Sequence, residues 1–179
     1  MKYETIDDIY SANAKVRERL HDTVSNIPQA ELTALPDGEK WTIQALVEHI
    51  AIVERNVGRI CAKLVGASKT DGKPSNGDLA IADDFMKIWS SIADVKLEAP
   101  ERVQPTGNLS VADSFAQMDA NREVLAELRP DLKSYDQSGG KFPHPYFGDL
   151  TATEWLVLIG GHEARHTAQI ERLLEKIRQ

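Results

Sequence analysis

Residues 150–179 read LTATEWLVLIGGHEARHTAQIERLLEKIRQ. Wound into a helix, this run places Trp155, Ile159, His162, His166, Ile170, Leu173 and Ile177 along one stripe. The charged residues Arg165, Arg172 and Lys176 fall off that stripe. The pattern predicts a long amphipathic helix whose buried face carries two histidines. A buried imidazole needs a partner, and two of them at i, i+4 spacing can share one. A metal ion is the economical choice, because neutral histidine is a common ligand. The alternative is a pair of core histidines bonded to neighbouring groups.

Upstream of that segment the apolar spacing predicts three more long helices. Ile6, Ile9, Tyr10, Asn13, Val16, Leu20, Val24 and Ile27 recur at helical intervals, and Pro28 closes the run. Thr42 is a good N-cap for a second helix reaching about Val65, with Ile43, Leu46, Val47, Ile50, Val53, Val57, Ile60 and Leu64 as its stripe. Ile81, Phe85, Ile88 and Ile92 suggest a shorter helix, with Trp89 beside them. Ser110 caps the next, whose stripe is Val111, Phe115, Met118, Arg122 and Leu125, ending by Pro130. Residues 66–79 and 131–149 read as loops. Residues 94–109 read as extended, with room for a short strand, and no convincing β pattern stands out elsewhere. The expected fold is therefore all-α: a four-helix bundle with two long crossover connections and one extra short helix, in a single domain over 1–179.

Composition narrows the function. The 179 residues are 41% hydrophobic and 27% charged, as in ordinary globular proteins. A net charge of -7 argues against a nucleic-acid partner, whose phosphates it would repel. No apolar run is long enough to span a bilayer and no signal segment opens the chain, so no membrane partner and a cytoplasmic location are expected. The lone cysteine, Cys61, forms no internal disulfide; it lies over three helical turns beyond His49 and reads as a small buried hydrophobe.

His49 lies at the edge of the second helix's stripe. Bundles build metal sites from ligands on facing helices, and three imidazoles leave coordination positions open, as catalytic sites require. The run His162-Glu163-Ala164-Arg165-His166 also matches H-E-x-x-H, in which the glutamate of a zinc protease is general base. Only one helix's worth of chain follows His166, however, and Glu171 and Glu175 on that helix cannot fold back to the ion.

Two segments carry a family resemblance. WTIQALVEHI at 41–50 is similar to the second-helix signature of the DinB/YfiT-like proteins. HPYFGDLT at 144–151, Glu154-Trp155-Leu156 and HEARHTAQI at 162–170 resemble that family's closing segment. The resemblance implies a bundle that is often homodimeric and holds a divalent metal on His49, His162 and His166. It further implies a small-molecule substrate and chemistry like that of the family's S-transferases and isomerase, which use low-molecular-weight thiols. Water in place of the thiol would make the site hydrolytic, and a metal-binding stress protein without turnover is the alternative. Imidazole ligands suit zinc, nickel and iron alike.

Other positions carry narrower expectations. Arg122, inside an apolar stripe, is a candidate for binding an anionic substrate group, unless it snorkels or pairs with an acid. Asn13 either faces a cavity as a second substrate contact or makes a buried hydrogen bond. Glu163, about 100° around the helix from His162, either flanks the site or, as the commoner case, pairs with a surface arginine. Gly160-Gly161 points to close helix packing, or to room for substrate beside the metal. His144 reads as structural or exposed, and His21 as solvated.

Overall fold

The computed structural model describes residues 3–92 and 98–179. Its four long helices are α1 (Ile6–Val24), α3 (Ile43–Asp71), α5 (Val111–Ser134) and α6 (Ala152–Ile177); α2 (Gln29–Leu32) and α4 (Asp83–Ile92) are short. Each long helix starts on a Ser or Thr. The side chains of Thr5, Thr42, Ser110 and Thr151 accept the N–H of Asp8, Ala45, Asp113 and Glu154 respectively, each cap contributing about 1 kcal/mol.

Contacts between helices fix their directions. Asn13, Arg17 and Arg19 of α1 meet Leu156, Glu163 and Glu171 of α6 in the same order, so these helices are parallel. Asn121 and Asp131 of α5 meet Glu54 and Lys69 of α3, a second parallel pair. Between pairs the sense reverses. His49 faces His162 and His166, while Cys61 reaches Ala152. Joining parallel α3 and α5 requires the chain to return to its starting end, which residues 72–110 do as a long crossover.

The core is split. One apolar cluster gathers Ile9, Val57, Leu125, Leu156 and Ile159; another gathers Leu20, Leu46, Ile50, Met118 and Ile170. Between them lies a polar layer one turn thick. Arg17 donates to Glu54 and Glu163, Arg122 lies beside both carboxylates, and all four charges cancel. Asn13 and Asn121 complete the layer, each seated in a notch made by glycine on its parallel partner. A Cβ at Gly160 would lie 2.1 Å from Asn13 Oδ1, and one at Gly58 would lie 2.1 Å from Asn121 Oδ1. Both amides then donate to the carbonyl four residues before the glycine: Asn13 to Leu156 at 2.9 Å, Asn121 to Glu54 at 3.2 Å. Gly160 thus serves close helix approach.

Several expected boundaries move. α3 continues six residues beyond Val65 because Ser68 is buried and Lys69 pairs with Asp131 on α5; Gly72, at φ 68°, stops it. α5 runs through Pro130 to Ser134, since burying Leu132 and pairing Lys133 with Asp7 outweigh the roughly 3 kcal/mol a proline costs. The loop at 131–149 also holds an antiparallel hairpin, β1 (Phe142–His144) with β2 (Gly148–Leu150). Three-residue strands are too short to show an alternation. In the stretch read as extended, Glu101–Val103 forms a 3-10 turn. Residues 94–97 of that stretch and the side chains of Trp89 and Ile92 lie outside the described residues. Among the described residues no helix is long and apolar enough to cross a membrane.

Candidate metal centre

His49 occupies the second turn of α3, and His162 and His166 occupy successive turns in the middle of α6. Because α3 and α6 are antiparallel neighbours, the three rings converge. Their centroids lie 5.1 Å (His49–His162), 4.9 Å (His49–His166) and 4.4 Å (His162–His166) apart. Each offers one ring nitrogen, and these three nitrogens lie within 4.8 Å of one another.

Hydrogen bonds set which nitrogen is available. His49 Nδ1 lies 2.7 Å from the Val103 carbonyl, which only accepts, so Nδ1 carries the proton and Nε2 keeps its lone pair. His166 Nδ1 is held the same way by Gln169 Oε1 at 2.9 Å. Trp41 packs on His49 with ring centroids 4.9 Å apart. Burial lowers the pKa of His49, despite the bond to Val103. Burial and then the neighbouring His49 bring His166 down to about 3. His162 is pushed well below the ordinary range by burial, then by His166 and His49. Three imidazoles neutral at pH 7, two with Nδ1 already committed, are the donor set a divalent ion requires, so these residues fit one.

The crossover is fastened beside His49. Glu48, next to His49 and only 1% exposed, accepts from Thr106 N (2.9 Å), Thr106 Oγ1 (2.7 Å) and Gly107 N (2.7 Å). Burial alone would raise its pKa; these hydrogen bonds outweigh it and hold the carboxyl below its ordinary value.

A family model described as the DinB superfamily matches residues 12–170. The chain belongs to the DinB superfamily. Among curated relatives, "Uncharacterized protein YuaE" of Bacillus subtilis is 26% identical over 158 residues, covering 86% of this chain and 90% of that protein. "Putative metal-dependent hydrolase OB0413" of Oceanobacillus iheyensis is 26% identical over 172 residues, covering 93% of this chain and 86% of its own. Among solved structures, TT2238, a four-helix bundle protein, superposes with a TM-score of 0.57 at 23% identity, covering 93% of this chain and 98% of that one. At that identity the likeness speaks for the bundle alone.

The remaining expected positions fall elsewhere in the DinB bundle. Glu163 does not pair with a surface arginine: it is 1% exposed and salt-bridged to buried Arg17 at 2.6 Å. The face of α6 that meets the core carries Glu163, Thr167 and Ile170, so His162 and His166 lie at its margin, half-buried rather than buried. This arrangement removes the protease reading, since Glu163 is turned into the polar layer. Arg122 and Asn13 come together, Arg122 Nη2 donating to the Asn13 carbonyl at 2.9 Å. They line a cleft of about 300 Å³ with Tyr10, Glu54, Arg129 and Leu156, and none of the three histidines is among its described lining residues. Cys61 is buried, its thiol pushed up to about 12 by that burial. His21 is exposed, its ring edge against Phe115.

Sequence reasoning missed Arg17, Glu54, Val103 and Gln169. Arg17 stands at i+4 from Asn13 and Gln169 at i+3 from His166, spacings that could have exposed them. Val103 contributes a backbone carbonyl, for which side-chain identity carries no signal.

Proposed function

We propose that this DinB protein is a divalent-metal-dependent enzyme that activates water or a low-molecular-weight thiol against an electrophilic small molecule. The observation that supports it is the meeting of three neutral imidazole nitrogens within 4.8 Å, drawn from two antiparallel helices. His49, His162 and His166 would hold the ion. When bound, zinc, nickel or iron supplies Lewis-acid chemistry there, favouring the deprotonated form of a thiol or water at a position the histidines leave open. The chain's own part is to keep the ligands neutral by burial and to fix their tautomers through Val103 and Gln169. Half-burial of His162 and His166 leaves an approach for substrate. The water branch agrees with the name of the Oceanobacillus relative.

The test begins with metal analysis of untagged protein purified without chelator. Metal-loaded and metal-free protein are then incubated with a low-molecular-weight thiol and an electrophile, or with an ester or amide alone. Metal-dependent conjugate or hydrolysis supports the proposal. Metal bound without turnover would move the assignment to a metal-binding protein without catalysis, and absence of metal affinity would refute both.

A further inference from the structure

His144, which the sequence marks as structural or exposed, is not a ligand of the three-histidine centre. It ends β1, between Pro143 and Pro145, whose fixed φ angles stiffen the backbone on both sides. The ring is half-buried, packed against Phe147 at 4.8 Å and Trp155 at 5.1 Å between centroids. Its Nδ1 faces two backbone donors, the N–H of Tyr146 at 3.1 Å and that of Phe147 at 3.3 Å. Backbone N–H groups only donate. Nδ1 must therefore present its lone pair, and the neutral ring carries its proton on Nε2. No described residue accepts a hydrogen bond from that Nε2–H.

The surroundings set this ring on the face of α6 that carries His162. Trp155, on which the ring packs, lies two helical turns before His162 on α6, on the same face. From the other side, Arg102 acts on His144, and the next residue, Val103, is the one that orients His49. Tyr146 ties the hairpin to the same crossover, its hydroxyl donating to the Glu98 carbonyl at 2.7 Å. The hairpin is thus tied to the crossover segment that orients His49.

We infer that His144 is a fixed neutral hydrogen-bond donor, through Nε2–H, to an acceptor oxygen of the substrate held at the three-histidine centre. The inference rests on the metal-site reading proposed above. It names a substrate class, molecules carrying a carbonyl, carboxylate or similar oxygen within reach of the ion, and the Arg102 charge favours the same polarity. It also excludes a role. A ring whose Nδ1 lone pair is spent on two backbone donors, and whose Nε2 already bears a proton, is not a general base.

Two measurements test this on the full-length protein. Long-range proton–nitrogen NMR of the metal-free wild type reads the tautomer directly, and the expected result is Nε2–H for His144 at pH 7. A protonated ring or the Nδ1–H form would overturn the inference without any variant. Cobalt-loaded protein is then titrated with acetohydroxamate, an oxygen-bearing chelating probe, and followed by the visible spectrum. His144→Phe, which keeps an aromatic ring against Phe147 and Trp155, should weaken the probe about tenfold while cobalt affinity stays within about twofold. His144→Gln, which retains an amide donor, should recover part of that loss. Unchanged probe affinity in His144→Phe would refute the substrate-anchoring role. Failure of the wild type to bind cobalt would instead refute the metal-site reading, and the ligand half of this inference with it, while the tautomer result still stands or falls alone.

Discussion

Gly160→Ala puts a methyl group where Asn13 already sits. The new Cβ would lie 2.1 Å from Asn13 Oδ1, and ordinary contact begins near 3.4 Å, so the two atoms must separate by more than an ångström. Asn13 is only 7% exposed and bonded to the Leu156 carbonyl at 2.9 Å, so it cannot step aside without losing that bond. Overpacking costs about 1–3 kcal/mol, and a buried amide left without its acceptor costs a similar amount. Against this, alanine improves helix propensity over glycine by about 1 kcal/mol. The expected net loss is about 1–5 kcal/mol. Asn13→Ala alone should lose about 1–2 kcal/mol, the worth of its hydrogen bond and packing. In the double variant the methyl introduced by Gly160→Ala fills space the amide has vacated, so the two losses should fall short of their sum by about 2 kcal/mol. Urea unfolding followed by circular dichroism reads all four corners of this cycle. Additive losses, or a Gly160→Ala variant as stable as the wild type, would refute the notch as the device that sets the α1–α6 register.

Other outcomes follow from the same geometry. Arg17→Met strands Glu54 and Glu163 in the core and should cost about 3–5 kcal/mol in urea unfolding, with Glu54→Gln in the same chain restoring part of it. Alanine at His49, His162 or His166 should abolish stoichiometric divalent-metal binding by calorimetry without loss of helical signal, whereas Cys61→Ala should retain it. Glu163→Gln should lower stability yet leave metal affinity within about twofold, since Glu163 faces Arg17 and not the ligands. Metal-free protein should lose stability as pH falls below about 6.5, because His49, His162, His166 (down to about 3) and His144 (down to about 4, by burial and then Arg102) stay neutral when folded and take up protons when unfolded. Each contributes about 1.4 kcal/mol per pH unit in the window between its folded and unfolded values. Glu54, whose pKa burial raises, works in the opposite sense, but it is one group against four. A urea midpoint that is flat or rising from pH 7 to pH 5 would contradict this.

The bundle was legible in the chain because its four long helices each pair an apolar stripe with a Ser or Thr cap, and both signals are local. The convergence of His49 with His162 and His166 was legible for a related reason: helical spacing aligns the last two, and the family resemblance supplies the third. The role of Glu163 was hidden because its position on the helix says only that it lies off the histidine stripe. Its true partner, Arg17, lies 146 residues away in sequence on a helix whose direction no local pattern reveals. The same limit hid the hairpin, whose strands are held by their partners rather than by their own alternation. For Arg122 and Asn13 spacing left two roles open, and the structure supplies an acid beside the first and a buried hydrogen bond for the second.

Adjacent residues of α3 grip the crossover: Glu48 holds Thr106 and Gly107, and His49 holds Val103. An ion that prefers His49 with Nδ1–H bonded must tighten that grip by the same factor by which the grip tightens the ion, since linkage is reciprocal. Loading the centre should therefore shield the segment around residues 101–107 from proteases, and cutting the chain there should release the ion.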